Sequence, residues 1–132
     1  MVDEAQFLDP KHIDMLRVIA DEANCPVICY GLRTDFRREL FAGSKRLLEL
    51  ADSIEEIKTT CHFCNRKAIF NLKLISQPDG TKLGTTLGAQ VQLGCEETYV
   101  PSCSYHYHDF THHETSKTSS PTVSTTGTDV NR

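Results

Sequence analysis

Nowhere in the 132 residues does an apolar run approach the ~18 residues a membrane-spanning helix needs. The opening segment MVDEAQFLDP is acidic and has no apolar core of the kind a secretory signal carries, so none is expected there. Positive charge is not in excess. The net charge is −4 and the pI is near 5.8, whereas a nucleic-acid binder of this size is more often basic. Neither a membrane nor a nucleic acid is therefore an expected partner. There is no internal repeat and no collagen-like composition. With 39% hydrophobic and 24% charged residues, the chain is not of the wholly disordered class either, and its length is that of one ordinary domain.

What is present divides by texture. Asp9-Pro10 is a helix-start signal, since Asp caps and Pro suits the first helical position. Ile13, Leu16 and Ala20 then recur at helical spacing beside Met15 and Ile19, and Asn24 and Pro26 end the helix. Val27, Ile28 and Cys29 read as a short buried strand. A strand end, a helix and a second apolar strand predict an α/β pattern with a parallel sheet. Ser44 is a candidate cap for a second helix holding Leu47, Leu48 and Ala51. A short strand is expected at residues 58–60. Ile69, Asn71, Leu72 and Leu74 suit another strand, Gln77-Pro78-Asp79-Gly80 a turn, and Gly84 and Gly88 a longer loop. Residues 89–93 then read as the returning strand. Residues 111–132 are dominated by Ser and Thr and are expected to be a disordered tail. The expected division is an α/β part over residues 1–58, a small β-rich part over 59–110, and the tail.

Six cysteines occur, and their informative spacing is Cys61-x-x-Cys64 followed by Cys103-x-x-His106. Two thiolates three apart can face one ion across a tight turn, and a second pair completes a tetrahedron. Structural zinc is the favoured reading. A disulfide or redox pair and plain coincidence are the alternatives. Four protein ligands would close the site, so it is expected to have no catalytic role. His62, inside the knuckle, is a weaker ligand candidate. His108, His112 and His113 read as part of a solvated linker into the tail, and Cys25, Cys29 and Cys95 as small packing residues.

Val2-Asp3-Glu4 places two carboxylates where a strand ends, an arrangement used for magnesium and for base catalysis in nucleotide enzymes. Alone, a surface Asp-Glu pair is more often merely solvated, and Phe7, Phe36 and Phe41 are singly more often core than site. Together with the run from Tyr30 through Arg33, Asp35 and Arg37 to Phe41, the Cys61/Cys64 knuckle, Gly94 before Tyr99, and the Cys103/His106 close, the chain resembles the bacterial class II thymidine kinases, nearest to the proteobacterial type.

The resemblance covers residues 2 to about 107. It implies a P-loop α/β domain, cut inside its parallel sheet, followed by a small zinc-binding lasso domain. It implies transfer of the ATP γ-phosphoryl group to the 5′-hydroxyl of thymidine, with deoxyuridine as a second substrate, in the cytoplasm and as a homotetramer when full length. By the same resemblance Glu4 is the base and Asp3 supports magnesium. Phe7, Leu32, Phe36 and Phe41 line the nucleoside pocket, and Tyr99 lies at the sugar. Asn71 falls near the thymine methyl, and Gln92 and Gly94 fall where backbone meets the thymine edge. Residues 76–88 correspond to the lasso over the base.

Two departures stand out. Cys95 replaces the second of two expected glycines, and no GxxxxGK[ST] phosphate loop occurs in the chain. The expectation is therefore a carboxyl-terminal portion of a thymidine kinase, inactive alone. The rival expectations are a zinc-stabilised nucleoside-binding or non-catalytic subunit, and a truncated product without function.

Overall fold

Asp9 sits in extended backbone and its carboxylate accepts the Lys11 amide at 3.0 Å, which starts helix α1 (Pro10–Glu22) with Pro10 in the first turn. Such a cap is worth about 1 kcal/mol. The helix stops where Asn24 turns to a left-handed φ of 48°, a conformation that Asn tolerates better than most residues. The computed structural model describes residues 1–88 and 97–115 of the chain.

Helix α2 (Ala42–Leu50) crosses a 3-10 turn at Ala5–Phe7. Gly43 is what allows it: a Cβ there would lie 2.7–2.8 Å from the carbonyls of Leu8, Ala5 and Gln6. The cap of α2 is Phe41. Ser44 is not the cap; it lies inside the helix, buried, and donates its hydroxyl to the Leu32 carbonyl at 2.5 Å. Ion pairs from Arg46 to Asp14 (2.7 Å) and from Arg17 to Asp52 (2.6 Å) brace α1 beside α2 at the surface.

The expected parallel sheet is reduced, among the described residues, to one parallel bridge between Val2 and Cys29. The Val2 amide donates to Ile28 and the Tyr30 amide to Val2, both at 2.8 Å. Ile28 is 53% exposed, so the strand expected to be buried at Val27, Ile28 and Cys29 is neither buried nor longer than the bridge at Cys29, and Cys25 is exposed rather than packed. Met15, Val18 and Ile19 of α1 are exposed as well. An open apolar cleft of about 280 Å³ runs between Val2, Leu8, His12, Met15, Leu16 and Ile19.

The second half is a β unit. Strands β1 (Thr59–Thr60) and β2 (Lys67–Ala68) form a short antiparallel hairpin. Strand β3 (Phe70–Ser76) is central in a three-stranded antiparallel sheet, flanked by β4 (Lys82–Thr85) and β5 (Glu97–Ser102). The Gln77-Pro78-Asp79-Gly80 turn is present, with Gly80 at φ 84° and its amide bonded to the Gln77 carbonyl. The chain returns earlier than residues 89–93, which lie outside the described residues. Gly84 is in β4, not in a loop: a Cβ there would meet the Cβ and carbonyl of Phe110 at 2.9 Å. A glycine that reads as a loop signal is here a point of close approach.

Helix α3 (Ser104–Thr115) covers one face of this sheet. It runs through the histidines expected in a solvated linker, and its last five residues fall in the stretch expected to be disordered. Residues 116–132 lie outside the described residues. Leu72, Leu74, Val100 and Tyr107 form the core, with Phe63, Phe70 and Phe110 packed against it. Each such apolar side chain contributes about 1.5–3 kcal/mol on burial. The described fold is thus mixed α/β with small sheets, and none of its helices is long and apolar enough to cross a membrane.

Candidate functional site

The four residues singled out by spacing come together. Cys61 and Cys64 lie in the loop of the β1–β2 hairpin, closed by the Cys61 amide bonded to the Arg66 carbonyl at 2.8 Å. The His62 amide donates to Pro101 at 2.8 Å and ties that loop to β5. Cys103 follows β5 and immediately precedes α3, so His106 in the first helical turn faces the same point.

All four ligand atoms lie within 4.8 Å of one another. Cys61 Sγ and His106 Nδ1 are 3.6 Å apart, Cys103 Sγ and His106 Nδ1 3.3 Å, and Cys64 Sγ and Cys103 Sγ 3.9 Å. A tetrahedral zinc with ordinary Zn–S and Zn–N lengths would hold such atoms roughly 3.5–3.8 Å apart. The set can hold a metal ion, and a soft tetrahedral one suits it. His62 is exposed and outside the cluster, as expected.

The electrostatics favour a cation. Burial opposes ionisation of Cys61, but the backbone amides of Cys103 and Phe63 and the neighbouring thiols outweigh it and bring its pKa down to about 6. The His106 amide lowers Cys103. At Cys64 the Arg66 amide also pulls down, but burial and the crowding of Cys103 and Cys61 push the thiol up overall. Sulfurs that hinder one another's ionisation are relieved by a positive ion.

The acidic pair lies near the start of the chain, in the segment leading into the 3-10 turn that packs on α2. Asp3 and Glu4 are exposed. Glu4 is held at φ 51°, a left-handed conformation uncommon outside glycine. Its amide donates to Asp3 Oδ1 at 2.9 Å, and its carboxylate accepts a hydrogen bond from the Gln6 side-chain amide. The oxygen of that same Gln6 amide accepts the Leu32 backbone N–H at 3.2 Å. Gln6 is buried and joins the carboxylate turn to the start of the aromatic loop. Sequence reasoning gave Gln6 no role, although its place two residues after Glu4 was the available signal.

The aromatic loop is organised by Asp35. This buried carboxylate accepts the amides of Arg37 and Glu39 at 2.8 and 3.0 Å and pairs with the Arg37 guanidinium at 3.0 Å. Thr34 and Leu40 form an antiparallel bridge across the loop, and Arg38 takes a φ of 67° at its tip. Arg38 stacks on Tyr107 at 4.9 Å and Phe70 at 5.5 Å.

The structure sorts the expected pocket residues into two groups. Phe7 meets Phe41 edge-on at 5.6 Å beside the 3-10 turn. Phe36 meets Tyr99 edge-on at 6.1 Å over the sheet face opposite α3. Phe36 and Phe41 are themselves buried as core, so the accessible aromatic members of the two groups are Phe7 and Tyr99. Asn71, on that same face, donates to the Thr34 carbonyl at 3.2 Å. Leu32 is exposed between the two groups in sequence. Gln92 and Gly94 lie outside the described residues. Beneath the second group sits a buried ion pair missed in the sequence, Lys73 Nζ to Glu97 Oε1 at 2.7 Å. Burial works to lower the Lys73 pKa, but the Glu97 carboxylate outweighs it and the net shift is upward. Burial first, then donation to Glu97, pushes the Tyr99 hydroxyl up.

Residues 1–107 match the family model for thymidine kinase. The chain is 52% identical over 108 residues to the thymidine kinase of Lactococcus lactis, covering 81% of this chain and 54% of that protein. It is 50% identical over 107 residues to that of Lactiplantibacillus plantarum and 49% over 107 to that of Haemophilus influenzae, covering 81% of this chain and 53% of the relative in both cases. The chain spans about half the length of the curated relatives it matches. With a match over four-fifths of its residues, the chain belongs to the thymidine kinase family.

Proposed function

We propose that this chain carries the nucleoside-binding and zinc-bearing portion of a thymidine kinase, an enzyme that transfers the ATP γ-phosphoryl group to the 5′-hydroxyl of thymidine and accepts deoxyuridine as well. The observation that carries the reading is the Gln6 side chain, which bonds the Glu4 carboxylate with one end and the Leu32 amide with the other. The proposed base and the proposed pocket loop are thereby held in fixed relation. A left-handed Glu4 beside it is backbone strain of the sort retained at functional sites.

In this reading Glu4 takes the 5′-hydroxyl proton onto its carboxylate as the oxygen attacks the γ-phosphorus and the bond to the bridging oxygen of ADP breaks. Asp3 would help to hold a magnesium ion, which would supply positive charge to the phosphates. Leu32, Phe36, Phe41 and Phe7 form the apolar walls around the nucleoside, Tyr99 lies at the sugar, Asn71 near the thymine methyl, and Gln92 and Gly94 at the thymine edge. Cys61, Cys64, Cys103 and His106 would hold a zinc ion that would tie the two ends of the β unit together, and the hairpin around residues 76–88 closes over the base as a lasso. The cytoplasm and a homotetramer are the proposed setting of the whole protein.

A phosphate-binding GxxxxGK[ST] motif does not occur in these residues, which favours a second reading for the chain on its own: it binds nucleoside and transfers no phosphate. The experiment joins the amino-terminal half of the Lactococcus lactis relative to this chain and measures ATP-dependent formation of thymidine monophosphate. Turnover in the chimera and none in the 132-residue chain is expected. Thymidine-independent ATP hydrolysis alone would reject the assignment.

A further inference from the structure

Lys73 and Glu97 are both almost wholly buried, at 1% and 7% side-chain exposure, on the sheet face opposite α3. Lys73 is the register partner of Tyr99 across β3 and β5. The two carboxylate oxygens of Glu97 are divided: one takes the Lys73 ammonium at 2.7 Å, the other accepts the Tyr99 hydroxyl at 3.1 Å. The same ammonium lies 4.7 Å from the centre of the Phe36 ring and 5.9 Å from that of Tyr99. One cation thus lies over the Phe36 ring and within cation–π range of Tyr99, and one anion ties that cation to the phenol.

A buried ion pair is a poor device for stability, since well-packed apolar residues commonly serve as well or better. It is a good device for fixing geometry, because both charges demand their partners. We propose that Lys73 and Glu97 are positioning residues, holding the exposed Tyr99 edge-on against the buried Phe36 so that Tyr99 is presented to the nucleoside. The inference rests on the assignment of Tyr99 to the pocket, with Phe36 as the buried wall behind it. Neither residue of the pair is accessible enough to be a contact itself.

The test compares the zinc-loaded chain with K73M/E97L, which removes both charges at near-constant volume, and with K73R, which keeps the cation. Zinc content and thermal melting report folding. Thymidine titration reports the pocket, and NMR of ¹³C-labelled tyrosine reports the order of the Tyr99 ring without any ligand. The double variant is expected to keep its zinc and its melt, to lose thymidine affinity about tenfold, the scale of one hydrogen bond, and to show a broadened Tyr99 signal. K73R is expected to restore both. An unchanged Tyr99 signal in a folded double variant overturns the inference. So does unchanged affinity. If the parent chain binds no thymidine while the Tyr99 signal still depends on the pair, the positioning stands and the pocket assignment fails. Should K73M/E97L not fold, Glu97→Gln, which keeps the side chain's shape and loses its charge, takes its place: a displaced Tyr99 signal and weakened binding support the inference, and a signal and affinity identical to the parent overturn it.

Discussion

The Tyr107 hydroxyl donates to the backbone carbonyl of Phe36, 71 residues earlier in the chain. Tyr107 is one residue after the metal-site His106 and is almost wholly buried. The helix that completes the Cys/His cluster therefore also pins the loop assigned to the nucleoside, with Arg38 stacked on the same ring.

Metal removal should consequently damage more than the knuckle. The purified chain should hold one zinc per molecule by elemental analysis. Structural zinc supplies roughly 10–16 kcal/mol of apparent free energy, comparable with or above the whole stability of a small domain. Chelation should unfold the β unit, seen as loss of strand signal by circular dichroism. Protein prepared without chelator or metal-affinity resin that contains no zinc would contradict the assignment.

Tyr107→Phe keeps the ring in the core with Leu72, Leu74 and Val100 and removes only the hydroxyl. The Phe36 carbonyl loses its donor, at a cost of about 1–3 kcal/mol. The melting temperature should fall while zinc content stays at one. Thymidine affinity should fall too, since the loop is released. A variant that melts like the parent would show that water replaces the hydroxyl and that the tether is unimportant.

Glu4→Gln, made in the chimera, keeps the side chain's shape but cannot take the proton. Base catalysis is typically worth about 10²–10⁴-fold in rate. Turnover at saturating thymidine should drop by that order with little change in thymidine binding. Phe41→Ala should weaken binding instead. Nearly full turnover by the Gln variant would make Glu4 a structural carboxylate.

Met15, Ile19 and Ile28 expose apolar surface beside the Val2 bridge and the cleft along α1. Continuous apolar surface of this kind marks contact with other protein, and the bridged strands offer unpaired edges. The chain should self-associate in sedimentation and bind a hydrophobic dye. Met15→Lys with Ile19→Lys should reduce both, without loss of the melt, because both side chains are exposed. A strictly monomeric parent chain that takes up no dye would argue against an uncovered face.

Local chemistry was what the sequence made readable. Asp9-Pro10 capped a helix where expected because the cap needs only its own backbone. The Cys/His set assembled because each pair is set by a short spacing and the sheet brings the pairs together. Ser44, by contrast, looks like a cap, but its hydroxyl is taken by Leu32 from another segment. Helix α3 was missed because its histidines and tyrosines show no apolar stripe; Tyr107 and Phe110 are buried by the sheet, not by periodicity. Lys73 alternates with Leu72 and Leu74 as a solvent-facing residue would, yet Phe36 and Glu97 cover it. Such contacts come from distant segments and leave no local mark.

The most direct test of the account is calorimetric titration of thymidine into the zinc-loaded 132-residue chain, without ATP. Saturable one-to-one binding, lost on chelation and not reproduced by deoxycytidine, is the predicted result. Protein that retains its zinc and a cooperative melt, and yet takes up no thymidine, would contradict it.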